Sequence, residues 1–587
     1  MKKRNLNPSL HLLGGRALSR NMATLLCAGA LGAVGQSAFA VNAAWDIDAA
    51  SGNFNTAQWT SGTTTPVAGG TYTVLSGDAL FFGTQTTGAT ALTNDLTGAT
   101  FNGLTFNSGA SAFTIGGNSF TLGGNVTNNS SSLQTINNAM TFTSRTFVGG
   151  TGGLTLGGTL TSSSSLLTTT GAITIKGAAT SDGAAVANAG FVTIGNNPGA
   201  GTTPSVTLSN GGSLNVNGTT NATKPNSIIG QLSGTASLNV GATDQSTSGT
   251  LTVGANTGWV LGNSNGSGNL NVYSGIATIN RGTLATTTNG TDTRLIMMGR
   301  DSASSTGTVN LNGGTLATDR QFVRDGSSGA GSGTANFVFN GGTLKALATQ
   351  TDWLQSTTAT IAGQNIGAGS GTLNTNALAL SNVTVTAAST IDSNGFSVAI
   401  NNAISGAGGF TVISSSGSGT VTFGGASTYT GATAVNSGTL ALASTGSIVN
   451  SSSLSINAGA ILNTTAKSTF TLLSAQPIAF TVNAAGGGSA GQLIAAGLDI
   501  TNGAVSFSTV GTLDDASYVI ATYTGLTGAA FSSVTSLPSG YVLNYNFGGT
   551  NNTIALVAVP EPQTYGIVFG TFCLVALAAR RRARQQA

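Results

Sequence analysis

From Val41 to about Leu556 the chain repeats one phrase: four to six residues alternating apolar and polar, closed by Gly-Gly, Asn-Gly or Ser-Gly. Phe113-Thr114-Ile115 and Val309-Asn310-Leu311 are typical. Period-two alternation rich in Val, Ile, Thr and Phe forms strands, and glycine with asparagine supplies the positive φ angles of tight turns. No amphipathic helical period interrupts the pattern. The body is therefore expected to be all-β.

The phrase also recurs at a longer interval. Residues 299–318, GRDSASSTGTVNLNGGTLAT, match 323–346, VRDGSSGAGSGTANFVFNGGTLKA, in Arg-Asp, a Ser/Gly stretch, Gly-Thr, a strand and Asn-Gly-Gly-Thr-Leu. Echoes occur at 206–216, 154–160 and 436–442. Units this short cannot bury a face alone and must stack on neighbours. A right-handed parallel β-helix or similar β-solenoid fits best, with a row of β-sandwiches as the alternative. A coil of about 20 residues and a strand spacing of about 4.8 Å would make the body about 110 Å long. The final unit, Tyr518–Leu556, alternates cleanly but is aromatic-rich and unlike the repeats, as a cap over a solenoid end would be.

Composition narrows the chemistry. The 587 residues include 87 glycines but only 19 Lys or Arg and 16 Asp or Glu. Glycine lacks the strict period of collagen. The one histidine is His11, the cysteines are Cys27 and Cys573, and the sole glutamate is Glu561; all four fall in the terminal segments. Residues 41–559 hold no His, Cys or Glu, which removes histidine acid/base catalysis, thiol nucleophiles, structural zinc and disulfides. No catalytic residue, resident metal or cofactor is expected.

Both ends read as addresses. Lys2, Lys3, Arg4, Arg16 and Arg20 give a basic front, Met22 to Val34 is apolar, and Ala38-Phe39-Ala40 is a small-x-small cleavage site before Val41. The apolar run rises only about 20 Å, too short for a bilayer core of about 30 Å, so residues 1–40 are expected to be a cleaved signal peptide. At the other end Pro560, Glu561 and Pro562 precede the apolar stretch Thr564–Ala579 and then Arg580, Arg581, Arg582 and Arg584. That stretch spans about 24 Å as a helix, a short but tolerable single transmembrane segment. The arginines should stay cytoplasmic, leaving the body outside.

With the ends set aside, residues 41–559 carry 10 basic residues and 15 aspartates, a net charge of −5. The formal +3 belongs to the termini and is no argument for nucleic-acid binding.

The C-terminal order of Pro-Glu-Pro, hydrophobic helix and arginine-rich end closely resembles the PEP-CTERM sorting signal of Gram-negative bacteria. The resemblance implies recognition by an exosortase, transient anchoring in the inner membrane, removal of the tail, and a body attached at or released from the cell surface. That family is associated with bacteria that make exopolysaccharide, which is therefore a partner to consider. Residues 406–442, GAGGFTVISSSGSGTVTFGGASTYTGATAVNSGTLAL, look like the autotransporter-associated β-strand repeat, with Ile391-Asp392-Ser393-Asn394-Gly395-Phe396 as a similar lead-in. The sequence departs at 410–414, where that repeat usually places Leu-Thr-Lys. The region 45–82, with Trp45, Trp59 and Ser76-Gly77-Asp78-Ala79-Leu80-Phe81-Phe82, looks like the front of such proteins. A self-translocating autotransporter would end in a barrel of alternating strands, and this chain ends in a helix and arginines.

The expected organisation is a signal peptide at 1–40, an N-terminal β region at 41–150, a repetitive solenoid at 151–400, and the autotransporter-like repeat at 401–445. A C-terminal β region and cap follow at 446–558, and the sorting signal at 559–587.

Candidate chemistry is sparse. Charge is densest at Arg281, Asp292, Arg294, Arg300, Asp301, Asp319, Arg320, Arg324 and Asp325. A β-helix carrying Asp and Arg is similar to polysaccharide lyases and hydrolases, and Asp301, Asp319, Asp325 and Arg300 would then act on sugars. The competing expectation places Arg300-Asp301 and Arg324-Asp325 at the same point of two repeats, as an exposed ion-pair ladder of little energetic value. Asp46 and Asp48 offer two carboxylates for calcium, without the further ligands of an EF-hand loop. Trp45, Trp59, Trp259 and Trp353 read as packing or as platforms for sugar rings. The sequence thus points to an exported, non-enzymatic surface or matrix protein, with a β-helix carbohydrate enzyme and a glycan-binding adhesin as alternatives.

Overall fold

The computed structural model describes residues 40–559, apart from 143–144, 163–165, 171, 177–185, 190, 197–202, 217–226, 256, 282–293, 327–332, 362–374, 485–487 and 550–551, together with 573–582 and 584. The body is all-β. Its strands are short, and in most of them buried and solvent-facing residues alternate. Most strands pair in parallel with a strand one coil further along the chain. Leu104–Phe106 lies on Val126–Asn128, Gln134–Ile136 on Leu154–Leu156, and Met140–Phe142 on Leu160–Ser162. These pairs found three ladders, the first, second and third sheets, which the chain visits in turn in a solenoid-like arrangement. Such stacking lets a strand too short to hold a face alone bury it against the coils above and below.

The core is built from in-register rows. In the second sheet Leu208, Val240, Val272, Leu311 and Phe339 lie one above another, and all are fully buried. Aromatic residues continue the column: Phe339 meets Phe410 edge-on at 5.1 Å, and Phe410 meets both Phe423 and Tyr429.

Coil length is not the constant that the repeats suggested. Met140 pairs with Leu160 and Ile391 with Val412, coils of 20 and 21 residues, but Leu344 pairs with Ile391, a coil of 47. The long coils correct the expected extent. Of the 18 strands in the third sheet, all but the short Ser489–Ala490 stack in parallel, giving a ladder of about 75–80 Å rather than 110 Å. The second sheet ends at Asn382–Ala387; beyond it, among the described residues, the single bridges Thr384↔Ser405 and Ala426↔Ser447 follow, and the coils contract.

Both ends of the stack switch to antiparallel pairing. Asn42–Trp45 pairs antiparallel with Trp59–Ser61 and parallel with Ala79–Phe82. Trp45, Phe54, Trp59, Phe82 and Phe101 pack there edge to face at 4.9–5.9 Å. At the far end Ser517–Thr527 pairs antiparallel with Thr553–Ala558, which pairs in turn with Tyr541–Asn544. Tyr541 donates its hydroxyl to the Asp515 carbonyl at 2.7 Å, and Tyr523 to that of Tyr545 at 2.8 Å.

Ala38, Pro560, Glu561 and Pro562 lie outside the described residues, as does most of Thr564–Ala579. Residues 573–582 are helical and exposed, including Arg580, Arg581 and Arg582, and Arg584 is exposed as well. Among the described residues no helix is long and apolar enough to cross a membrane.

Candidate functional site

The densest charge falls on the first sheet, and a repeated backbone feature positions it. Four successive first-sheet strands end in an apolar residue, a glycine and a polar residue: Ile194-Gly195-Asn196, Ile229-Gly230-Gln231, Leu261-Gly262-Asn263 and Met298-Gly299-Arg300. All four glycines have φ between +63° and +75°, and Gln231, Asn263 and Arg300 stand in register. Arg300 thus occupies the place an amide holds in the coils before it. This ladder was not anticipated from the sequence, although the apolar-Gly-polar triplet is visible there once four examples are aligned.

The Arg-Asp pairs are not an exposed ladder of equivalent positions. Met298, not Arg300, pairs with Arg324, so the two dipeptides are offset by two residues. Gly299 turns the chain before Arg300, whereas Val323-Arg324-Asp325 stays in the strand. Nor are the groups exposed: the side chains of Arg300 and Asp325 are 6% and 0% accessible. Arg300 Nε lies 3.4 Å from Asp301 and 3.8 Å from Asp325, and Arg324 Nε donates to the Ala379 carbonyl at 2.8 Å. The Asn-Gly-Gly-Thr-Leu halves of the repeat do coincide, with Thr315 on Thr343 and Leu316 on Leu344.

Of the four residues that would serve a sugar enzyme, Arg300, Asp301 and Asp325 come together, but Asp325 is fully buried and Asp319 stands apart. Asp319 lies in the bend before the strand Gln321–Asp325 and Asp325 ends that strand, which is itself about 13 Å long. Asp319 accepts the backbone N–H of Arg281, and Arg320 is fully buried with Nε on the Asn280 carbonyl at 2.8 Å. Asp292 lies outside the described residues.

The calcium candidate is committed elsewhere. Asp46 is buried, and its Oδ2 accepts the Gly70 N–H at 2.5 Å. A hydrogen bond with Asp46, reinforced by burial and the like charge, holds the exposed Asp48 carboxyl above its ordinary range. Among the described residues no three His, Cys, Asp or Glu side chains are grouped to hold a metal. All four tryptophans are fully buried, so none offers a ring face to a sugar.

Two further features escaped the sequence. Ile228, Val260, Met297 and Val323 stand in register on the first sheet and, with Leu295 and Ala377, form a second apolar cluster apart from the main core. The signal was the unbroken apolar run in Trp259–Asn263 and Leu295–Arg300, which marks a strand buried on both faces. On the second sheet, Thr207, Asn239, Asn271 and Asn310 form a row in which each amide donates to the side chain before it, at 3.1, 2.8 and 2.8 Å. Thr114, Thr135 and Thr155 hold the same column earlier in the stack.

The residues that carry the autotransporter-like pattern build coils. Tyr429 is buried with its hydroxyl bonded to Thr433 Oγ1 at 2.7 Å, and burial pushes its pKa up. Phe410, where the pattern departs, fills the core beside it. In the lead-in, Asp392 Oδ1 accepts the N–H groups of Asn394 and Ser415 at 2.8 and 2.9 Å, with Lys345 Nζ 3.4 Å from Oδ2. Burial works against its charge, but the bonds from Ser415 and Asn394 and the Lys345 ammonium outweigh it, so its carboxyl titrates below the ordinary range. Its stabilisation is therefore present above the unfolded value near 3.9 and lost as pH falls through the lower folded value. Asp392→Asn should cost about 2 kcal/mol near pH 7. In thermal melts of both proteins across pH, the gap should close as the solution is acidified from the unfolded value through the lower folded one.

No protein-family model matches the chain, and neither a curated protein nor a solved structure is detectably similar to it.

Proposed function

We propose that this is an exported, non-catalytic structural protein of the cell surface or extracellular matrix. Its body is read as a right-handed parallel β-helix, because crossovers between parallel strands of one sheet are right-handed in nearly all proteins. Residues 1–40 direct export and are removed after Ala40. An exosortase then recognises Pro560-Glu561-Pro562 while Thr564–Ala579 spans the inner membrane and Arg580, Arg581, Arg582 and Arg584 remain cytoplasmic. The observation that carries the reading is where the body spends its scarce charges. Arg320, Arg324, Asp46 and Asp392 bond backbone groups of neighbouring coils and turns, as a scaffold requires.

A glycan-binding adhesin, with exopolysaccharide as ligand, is the second reading. It is favoured by the hydroxyls of Thr114, Thr135 and Thr155, which stand one above another and at least partly open to solvent on the second sheet, whereas Asn239 and Asn271 further along are buried and bonded within the row. A lyase or hydrolase is less well supported, since Arg300 holds Asp301 and Asp325 close together but Asp325 is fully buried, whereas sugar chemistry needs both carboxylates open to the substrate.

Intact mass of the native protein, taken from the cell surface and from the medium, tests the first reading. Chains that begin at Val41 and end near Pro560 are expected. A chain that still carries Arg580 to Arg584 would make this a simple membrane-anchored protein, and the sorting part of the reading would fall.

A further inference from the structure

Asp78 is a fully enclosed carboxylate, 1% exposed, at the start of the stack. Its Oδ2 accepts the Tyr72 hydroxyl and the Leu75 N–H, both at 2.8 Å. Its Oδ1 accepts the backbone N–H of Val41 at 2.9 Å. Burial, followed by the bond to Asp78 and its charge, pushes the Tyr72 hydroxyl up to about 12, so Tyr72 remains a donor. A buried carboxylate normally demands a positive partner. Among the described residues no lysine or arginine forms an ion pair with Asp78, and the first basic residue after Val41 in the sequence is Arg145.

The one donor on Asp78 that can acquire a charge is Val41 N. Val41 also leads into the first described strand: its carbonyl accepts the Ala79 N–H at 3.0 Å, the next residue opens the strand Asn42–Trp45, and Ala40 before it is exposed. We propose that Asp78 is a built receptor for the α-ammonium group that signal-peptide cleavage creates on Val41. Hydrolysis of the Ala40–Val41 peptide bond consumes one water, leaves the carboxylate on Ala40, and turns an amide N–H into a primary ammonium without moving the nitrogen. A neutral hydrogen bond becomes a buried ion pair, and the first strand is locked against Ala79–Phe82 only in the processed chain. A cut one residue to either side would leave the charge displaced from Asp78.

The proposal rests on the signal-peptide reading, so its test must separate the two. Two chains are compared, one beginning at Val41 with a free amine and one retaining Ala40, each with Asp78 and with Asp78→Asn. The first readout is the rate at which an amine-acylating reagent labels the N-terminus, followed by mass spectrometry. Each unit by which the ion pair raises the amine pKa lowers the reactive neutral fraction about tenfold. The Val41 amine should therefore be labelled at least about tenfold more slowly than that of the free peptide Val-Asn-Ala-Ala-Trp, and Asp78→Asn should restore the peptide rate. The second readout is the denaturation midpoint, which should be higher for the Val41 chain than for the Ala40 chain, with the gap abolished by Asp78→Asn. Labelling at the peptide rate, or equal midpoints for the two Asp78 chains, would overturn the proposal. Sequencing the natural N-terminus is the separate check on cleavage: a start elsewhere removes the signal reading and the physiological ammonium with it, whatever the engineered chain does.

Discussion

Gly262→Ala should be among the most damaging single-methyl changes in the protein. Gly262 has φ +69°, and a Cβ there would lie 2.1 Å from the Thr306 carbonyl oxygen and 2.5 Å from its carbon. Those atoms are backbone of the next coil and cannot turn aside. Two costs therefore add: the left-handed conformation for a residue with a Cβ, about 1–2 kcal/mol, and separation of the stacked coils. Gly459→Ala isolates the first cost, since Gly459 has φ +78° with nothing within 4 Å of its would-be Cβ. In denaturant titrations Gly459→Ala should lose about 1–2 kcal/mol, and Gly262→Ala more than about 4 kcal/mol or fail to fold. Equal losses would mean that the glycine ladder does not set the spacing between coils.

Arg320→Ala should be comparably severe, for an electrostatic reason. Arg320 is fully buried, and its guanidinium reaches back along the stack to two earlier coils: Nε to the Asn280 carbonyl at 2.8 Å and Nη2 to the Gly254 carbonyl at 3.1 Å. Val253, Ile279 and Thr318 stand in register at that corner, so one side chain ties three successive coils. Truncation leaves buried carbonyls without their donor and a void where the side chain ran, at about 3–5 kcal/mol. Arg320→Lys should recover only part of this, because an ammonium cannot span two carbonyls with a planar fork. Thermal melts of the three proteins decide the matter. An Arg320→Ala protein of unchanged stability that had lost affinity for a polysaccharide would instead make Arg320 a binding residue.

The fate of the charges shows where local reading stops. Asn312-Gly313-Gly314-Thr315-Leu316 and its copy at 340–344 fall on equivalent turns, because the turn and the strand after it are written in adjacent residues. Arg300-Asp301 and Arg324-Asp325 look just as equivalent in the sequence, yet Met298 faces Arg324. That register is set upstream, where Leu295 already lies on Gln321, and nothing in either dipeptide records it. Coil length behaves likewise: successive strands of one sheet can lie 20 or 47 residues apart while each keeps its own alternation.

By itself the sequence determined the all-β class, the small stacking units, an unlike final unit, and a body without histidine, cysteine or glutamate. Each of these is a property of neighbours along the chain, whether alternation of period two, glycine at turns, or composition. Only the tertiary structure decided that Arg320, Asp78 and Asp325 are buried, that the first sheet is apolar on both faces around Val260 and Met297, and that the carboxylates at Asp319 and Asp325 stand apart. It also decided that the Val41 N–H meets the buried Asp78 carboxylate. Those facts depend on which coils lie against one another. In a stacked chain that is set by register between strands 19 to 48 residues apart, so a side chain's surroundings come from partners the local sequence does not contain.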